Sequence, residues 1–206
     1  MEKLIKFSGI TLIIGGLSFV ITNGALSPFV DFTIPYSETL TSFPFFLRMS
    51  FAAFTVGLLL FGSIGLYLHH SQIERAKLFR FITFILAFFG TLFTFANEWH
   101  QIFVLPEIAQ ISPEAMDKFD ASDDTVKYVI GAVLAIATFS LGWISFMISL
   151  LISRKLKRIG PALVISGFFI IPLITGIISP VWGGLIGSLL LGSGFILMGL
   201  ELVKSS

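Results

Sequence analysis

The chain contains no cysteine, which excludes disulfide bonds, thiolate metal ligands and cysteine nucleophiles. Charged residues are also scarce. Asp, Glu, Lys and Arg together make up 12% of the 206 residues, about half the share that is usual in a soluble domain. Charges at this density cannot cover the surface of a folded chain, so most of that surface must face a medium other than water.

Sequence motifs of several functional classes are missing as well. The chain has no GxSxG nucleophile elbow, no Walker A loop, and no HExxH or HxxxH pair of histidines. The net charge is +1, and no basic patch is large enough to hold nucleic acid. We therefore expect no nucleic-acid partner, no metal ion and no cofactor, and the sequence assigns no catalytic residue.

Apolar residues are abundant. The chain is 55% hydrophobic, with 24 Phe against three Tyr and a mean hydropathy of +0.97. Phe suits a lipid-facing surface because its ring carries no polar group that needs a partner. A helix needs about 20 apolar residues to cross a bilayer. Six segments meet this requirement: residues 4–22, 47–68, 78–104, 126–152, 161–178 and 181–203.

These six segments predict an all-α fold. We expect a polytopic membrane protein with one domain over residues 1–206, in which six transmembrane helices form a single bundle with small exterior loops. The start of the chain, MEKLIK followed by an apolar run, also fits a signal peptide. The run is long, however, and residues 22–25 form a poor cleavage site, so we expect this segment to be the first transmembrane helix.

The distribution of charge predicts the orientation of these helices. Basic residues precede the first helix and lie between the second and third helices and between the fourth and fifth, whereas the other loops are acidic. Because Lys and Arg mark the cytoplasmic side, both termini are predicted to be cytoplasmic (N-in/C-in). The expected location is the plasma membrane, as a multi-pass protein of the bacterial cytoplasmic membrane. The basic residues are Lys3, Lys6, Arg75, Lys77, Arg80, Arg154, Lys155, Lys157 and Arg158.

The two longer exterior loops are predicted to contain short ordered segments. Residues 24–46 include three prolines, which exclude a continuous helix. Ser112 followed by Pro113 is typical of a helix start, so we expect a short helix to about Phe119. Ser122, Asp123 and Asp124 are predicted to cap the fourth transmembrane helix, because the acidic spacing does not fit an EF-hand calcium loop.

Small residues recur at helical spacing in three of the predicted helices. Helices associate in lipid through close approach of their backbones, so these rows predict helix–helix seams. The alternative is a polar pathway lined by hydroxyl groups, but packing is the commoner use of such rows. The rows comprise Ser8, Thr11, Gly15, Ser18 and Thr22 in the first helix, Gly131, Ala135, Thr138, Gly142, Ser145 and Ser149 in the fourth, and Gly183, Gly184, Gly187, Ser188 and Gly192 in the sixth.

The segment 88–109 places ionisable and amide side chains at one boundary of the membrane. A charged residue at this depth usually faces the interior of the protein and has a partner. Arg48, near the exterior end of the second helix, is the expected partner of Glu98. The alternative is a structural ion pair, with Trp99 as an interfacial anchor and His100 solvated. The predicted ligand-binding residues are Arg48, Asn97, Glu98, Trp99, His100 and Gln101.

The histidines do not favour a haem or a shared metal site. His69 and His70 end the second predicted helix, whereas His100 lies at the exterior end of the third, about 30 Å away across the membrane. Glu98 and His100 are two residues apart, so they point in different directions on a helix. Within one chain, these residues do not form a common first shell.

Three functional hypotheses fit this pattern. The preferred one is non-enzymatic binding of a lipid, a small apolar ligand or a partner subunit, which is another membrane protein or a second copy, in an exterior-facing polar pocket. The second is a small secondary transporter in which Glu98 is the proton-coupling carboxylate. The third is a membrane-embedded enzyme that modifies lipid, with Glu98 or His100 as general base. Membrane lipids surround the protein in each case.

Overall fold

The computed structural model describes residues 1–71, 73, 76–121 and 126–205. The structure is 89% helical and the described residues contain no strand, which confirms the all-α prediction. The helices are α1 Glu2–Val20, α2 Tyr36–Thr41, α3 Phe43–His70, α4 Lys77–Phe103, α5 Leu105–Ile111, α6 Pro113–Ala121, α7 Val126–Ser153, α8 Ile159–Ile177 and α9 Pro180–Ser205.

Six helical segments in the described part of the chain are long and apolar enough to cross a membrane, which is the number of spans predicted from the sequence. In the first, α1 continues through a π-helical turn, Ile21–Leu26, and a 3-10 turn, Ser27–Phe29. In the third, α4 and α5 are separated by Val104 alone. The spans are Glu2–Phe29, Phe43–His70, Lys77–Ile111, Ile130–Ser153, Ile159–Ile177 and Val181–Ser205.

Consecutive spans lie side by side. Each long helix contacts the next one along the chain, in the order α1, α3, α4, α7, α8 and α9, and α9 also contacts α1. Gly9 of α1 lies against Gly199 of α9 while Gly16 lies against Gly192, so these two helices are antiparallel. Both termini therefore lie at one end of the spans, called here the terminal end. The short helices α2, α5 and α6 lie at the other, called the loop end.

The predicted rows of small residues lie largely at helix contacts. A Cβ atom added to Gly16 would be 2.5 Å from the carbonyl oxygen of Gly192, and one added to Gly142 would be 2.7 Å from the Cα of Ala87. Such distances require glycine, since a larger side chain would push the two backbones apart. Gly131 is the exception: it is exposed, and an added Cβ would have no described atom within 4 Å. Gly131 is therefore not part of the helix–helix seam on α7.

At the loop end, a cluster of buried residues joins the short helices to α3 and α4. The backbone N–H of Ser37 donates to Oδ1 of Asp117 (2.8 Å), which links α2 to α6. The short helix predicted from Pro113 begins at that residue. The predicted cap at residues 122–124 lies outside the described residues. The cluster comprises Val30, Leu40, Phe45, Met49, Ala53, Ile102, Leu105, Ala109 and Met116.

One exposed carboxylate at the loop end is held by its own turn. Oδ1 of Asp31 accepts hydrogen bonds from the backbone N–H of Thr33 (2.8 Å) and from its hydroxyl group (2.7 Å). These two bonds stabilise the charged form and hold the pKa of Asp31 below its usual value of 3.8. Asp31 therefore remains ionised well into the acidic range, and any stabilisation it gives is lost only when the pH falls through that lowered pKa.

At the terminal end, basic side chains bind carbonyl groups of the connecting segments. Nη2 of Arg80, which is buried at the start of α4, donates to the carbonyl oxygen of Ile73. Nζ of Lys155, just after α7, donates to the carbonyl oxygen of His69 in the last turn of α3. An ammonium group is favourable there because the last carbonyls of a helix lack helical donors. Arg75, part of the predicted basic cluster, lies outside the described residues.

Candidate functional site

A cavity of about 550 Å³ lies among the spans, towards the loop end, and we call it the central cavity. Residues from all six spans line it. Its volume lies within the usual range of small-molecule sites, about 300 to 1,000 Å³. Its polar lining residues are Thr22, Asn23, Arg48, Thr55, Thr94, Glu98 and Ser140.

The central cavity extends from the loop end to about the middle of the spans. Arg48 lies near the start of α3, about 8 Å along the helix axis, whereas Val56 is about 20 Å along it. Both residues line the cavity. The charged groups are therefore at one end of the cavity, near the membrane boundary, and the other end lies at the depth of the apolar core.

Arg48 and Glu98 face the same cavity from α3 and α4. Their opposite charges attract each other, but Nε of Arg48 and Oε2 of Glu98 are buried and make no hydrogen bond to any described residue. Nη1 of Arg48 donates a hydrogen bond to the weak acceptor Sδ of Met49 (3.5 Å). A buried polar atom without a partner is costly. This pair therefore presents one donor and one acceptor that a bound molecule can satisfy.

The N-terminal turn of α3 fixes the position of Arg48. The hydroxyl oxygen of Ser42 accepts a hydrogen bond from the backbone N–H of Phe45 (3.4 Å), and Pro44 occupies the first turn of the helix. Serine at the N-cap and proline at the helix start are both favourable there. Phe45 and Met49, four residues apart, are buried in the loop-end cluster. Arg48 lies beside that buried row and borders the cavity.

The π-helical turn of the first span, Ile21–Leu26, brings polar residues to the cavity wall. The Thr22 hydroxyl donates to the carbonyl oxygen of Ser18 (2.9 Å), and Nδ2 of Asn23 donates to the carbonyl oxygen of Phe19 (3.2 Å). These bonds use the Thr22 hydroxyl proton and one of the two amide protons of Asn23, so both side-chain oxygen atoms remain able to accept. π-Helical turns often occur at functional sites because they change which side chains face a neighbouring helix.

The threonine hydroxyls of the second and third spans also donate within the protein, so their oxygen atoms remain able to accept. The Thr94 hydroxyl donates to the carbonyl oxygen of Gly90 (3.0 Å). The Thr55 hydroxyl lies 2.7 Å from both the carbonyl oxygen of Phe51 and the hydroxyl of Ser18. A hydroxyl has one proton to donate and two lone pairs. The threonines therefore offer acceptors to the cavity, as Glu98 does, and Arg48 is its strong donor.

Pro172 interrupts the helical hydrogen bonds of α8 at the cavity wall. Proline has no backbone N–H, so the carbonyl group of Phe168, four residues earlier, has no helical donor from position 172. Phe168, Ile171 and Pro172 all line the cavity. Pro172, inside α8, therefore lies at the cavity wall and not at a distant position in the helix.

Aromatic packing supports the deep end of the cavity. Phe139 and Phe168 line it, and their ring centroids are 5.7 Å apart. Behind Phe139, the fully buried Trp143 packs edge-on against Phe195, with the centroids 4.9 Å apart. The Trp143 indole N–H donates to Oγ1 of Thr91 (2.9 Å), which satisfies its polar group. This apolar base suits a hydrocarbon portion of a ligand.

The five predicted site residues of α4 divide among three faces of that helix. Thr91, Thr94 and Glu98 share one face by three- and four-residue spacing, and the last two line the central cavity. Asn97, His100 and Gln101 share a second face by the same spacing. They are half-buried, and none of them is among the described residues that line the central cavity. Of the six predicted residues, Arg48 and Glu98 line the central cavity.

Trp99 occupies the third face, on the outer surface. Its ring packs at a tilt against those of Phe95 and Phe103, at centroid distances of 6.5 and 4.4 Å. These three rings help to line a separate apolar groove of about 400 Å³ between α3 and α4. The Trp99 side chain is 54% exposed, which places it towards lipid and away from Arg48 and Glu98.

Sequence patterns missed part of the cavity lining. Thr22 belonged to a predicted packing row, but neither Asn23 nor the residues of α8 were linked to Glu98. Pro172 was the one available signal, since proline inside an apolar span often occurs where a helix is broken for function. A π-helical turn has no comparable sequence mark. In the described residues no group of three His, Cys, Asp or Glu is placed to hold a metal ion.

Comparison of the chain with protein-family models, with curated proteins and with solved structures gives no match. The geometry of the cavity and the chemistry of its lining are therefore the basis for the function proposed below.

Proposed function

We propose that the protein binds a small amphipathic molecule, a lipid or a lipid-like compound, in the central cavity, without chemically changing it. The observation that carries this proposal is the presence of Arg48 and Glu98 in one mainly apolar cavity, each with a buried polar atom that makes no hydrogen bond within the described chain. Ligand sites typically combine an apolar lining with a few convergent polar groups.

The lining restricts the chemistry of the ligand. Its polar end must accept a hydrogen bond from Arg48 and donate one to Glu98 or to the threonine oxygens. Its remaining part must be apolar, because the deep end of the cavity is formed by Phe139, Phe168 and Leu191. A fatty alcohol, a fatty amide or a small zwitterionic lipid meets both conditions.

We further propose that the six spans form a single bundle, with both termini in the cytoplasm of a bacterium. The acidic loops favour this orientation, as do the basic residues at the terminal end. In this orientation the central cavity lies in the outer half of the membrane, where a ligand could enter from the exterior leaflet or from outside the cell.

The test is native mass spectrometry of the protein extracted gently from its own membrane. We expect a discrete bound mass on the wild-type protein and its loss in Glu98→Gln, which removes the charge but keeps the size. Glu107→Gln is the matched control, because Glu107 is an exposed carboxylate at the same end of the molecule. The control should retain the bound mass.

A second pair of variants tests the cavity volume. Ala52 lines the cavity, so Ala52→Phe should expel the ligand by filling its space. Ala96 is exposed on α4, so Ala96→Phe adds the same bulk outside the cavity and should retain the ligand. If Glu98→Gln and Ala52→Phe keep the bound mass and Glu98→Gln instead lowers the thermal stability, the two charges form a structural pair and the proposal is wrong.

A small secondary transporter is the second candidate, and the irregular helices beside the cavity favour it. Pro172 and the π-helical turn both adjoin the cavity that holds Glu98. Interrupted helices beside a carboxylate are typical of ion-coupled transporters.

The molecule identified by mass spectrometry would be added to reconstituted vesicles under a pH gradient, and its uptake measured. Transport requires uptake by the wild-type protein and by Glu107→Gln but not by Glu98→Gln; binding without uptake excludes a transporter.

A further inference from the structure

A groove of about 400 Å³ opens at the terminal end, between the α7–α8 connection and the last turns of α9, and we call it the terminal groove. Three lysines and one glutamate line it, Lys155, Lys157, Lys204 and Glu201, together with His69 and three leucines, of which Leu197 and Leu200 lie on α9. It lies at the opposite end of the spans from the central cavity. It is therefore a separate site from the central cavity.

The connection that forms one wall of the terminal groove is held in place from two sides. Arg154 begins it in a left-handed backbone conformation, with φ 57°. The backbone N–H of Lys157 donates to Oε2 of Glu201 on α9 (2.9 Å). Nζ of Lys155 donates to the carbonyl oxygen of His69 on α3. These contacts order a segment that would otherwise carry its lysines on a loose loop.

The same contacts determine which charges remain available. An oxygen of Glu201, the carboxylate of the groove, accepts from a backbone N–H, and the Lys155 ammonium is bound to a helix carbonyl. In the residues that the structure describes, the ammonium groups of Lys157 and Lys204 make no hydrogen bond or ion pair. Both side chains are exposed. The terminal groove is therefore a fixed, net cationic site with two uncommitted ammonium groups.

The apolar part of the terminal groove continues along the membrane-spanning part of α9. Leu197, Leu200, Glu201 and Lys204 share one face of this helix by three- and four-residue spacing. Leu197 and Leu200 are 37% and 39% exposed, although they belong to an apolar span. About 10 Å separates Leu197 from Lys204 along the axis, which is the separation between a lipid phosphate and the upper part of its acyl chains.

We propose that the terminal groove binds an anionic phospholipid of the surrounding bilayer. Lys157 and Lys204 hold the phosphate group, with Lys155 adding positive charge, and the acyl chains lie along Leu197 and Leu200. Basic pockets between spans at the cytoplasmic side bind such headgroups in membrane proteins. A soluble phosphate compound would use the same lysines but would leave the two leucines uncovered.

The test is a lipid titration of the detergent-solubilised protein, measured by native mass spectrometry. The probes are dioleoyl phosphatidylglycerol, which is anionic, and dioleoyl phosphatidylcholine, which is zwitterionic with the same chains. We expect the anionic lipid to bind more tightly. The double variant Lys157→Gln/Lys204→Gln should weaken its binding about 30-fold, since one lysine near an anionic lipid headgroup contributes about fivefold.

The matched control is Lys3→Gln/Lys6→Gln, which removes the same charge from exposed positions at the same end of the molecule but outside the groove. It should bind phosphatidylglycerol as the wild-type protein does. Equal weakening in both double variants would overturn the site in favour of diffuse positive charge. Equal affinity for the two lipids would also overturn it, as would displacement of the bound lipid by inorganic phosphate, which would assign the groove to a soluble anion.

Discussion

At the scale of single residues, the hydrogen bond between Trp143 and Thr91 joins α7 to α4 in the apolar interior. Both side chains are fully buried. Oγ1 of Thr91 accepts from the indole N–H (2.9 Å) while its own proton goes to the carbonyl oxygen of Ala87 (2.6 Å). No water competes for these groups in lipid, so each polar atom depends on this single arrangement.

Replacing Thr91 with Val should lower the free energy of unfolding by about 1 to 2 kcal/mol, because the indole N–H then has no acceptor. The measurement is reversible unfolding in mixed micelles. Thr138→Val is the control, since the Thr138 hydroxyl donates to carbonyl groups of its own helix, and its effect should stay below about 0.5 kcal/mol. The double variant with Trp143→Phe should cost less than the sum of its parts; strict additivity would mean that the bond contributes nothing.

Residue chemistry alone identified Arg48 and Glu98 as candidates, because charged residues inside apolar spans are rare and usually functional. The same rule could not separate Glu98 from Asn97, His100 and Gln101, which are near it in sequence. That separation depends on the rotation of α4, which is set by contacts such as those of Gly90 with Phe139 on α7. Sequence spacing gives the faces of a helix but not the neighbour that each face meets.

At the scale of helices, α1 and α9 are in contact through glycines. Added Cβ atoms would lie 2.5 Å from a facing carbonyl oxygen at both Gly192 and Gly199. Gly192→Ala should therefore lower the free energy of unfolding by about 1 to 3 kcal/mol, the usual cost of overpacking. The measurement is thermal or denaturant unfolding in detergent.

Gly131→Ala is the matched control for this prediction. Gly131 lies in α7, with no described atom within 4 Å of an added Cβ, so alanine should leave stability unchanged or raise it by up to about 1 kcal/mol through helix propensity. A similar loss in both variants would mean that glycine is needed for backbone flexibility and not for close approach. Unchanged stability in Gly192→Ala would mean that α1 and α9 can separate at no cost.

The six long helices were predictable, whereas the short helices α2 and α5 and the deviations within the long helices were not. Hydropathy located every span because about 20 apolar residues in succession have few uses other than crossing a membrane. The π-helical turn at Ile21–Leu26 depends on how the end of α1 packs on α3 and α9, so no local pattern marks it. The cavity arises from six helices together, and its lining at Phe168 and Leu191 has no signature in either segment.

At the scale of the whole molecule, the antiparallel order of the spans places Met1 and Ser205 at one end and α5 at the other. The proposed orientation puts the terminal end in the cytoplasm, where the membrane surface is negative and attracts the basic residues. Both proposed sites depend on it, because the central cavity would then open towards the outer leaflet and the terminal groove would meet the anionic inner leaflet.

Single cysteines can test this orientation directly, since the natural chain contains none. Lys3→Cys, Glu107→Cys and Ser205→Cys each place a thiol at an exposed position. A maleimide that cannot cross membranes should label Glu107→Cys in intact cells, and should label the other two variants only after the cells are permeabilised. The reverse pattern would place the acidic loops in the cytoplasm, against the distribution of basic residues. Labelling of Lys3→Cys and Glu107→Cys from the same side would contradict an odd number of crossings between them, and with it the assignment of the first three spans.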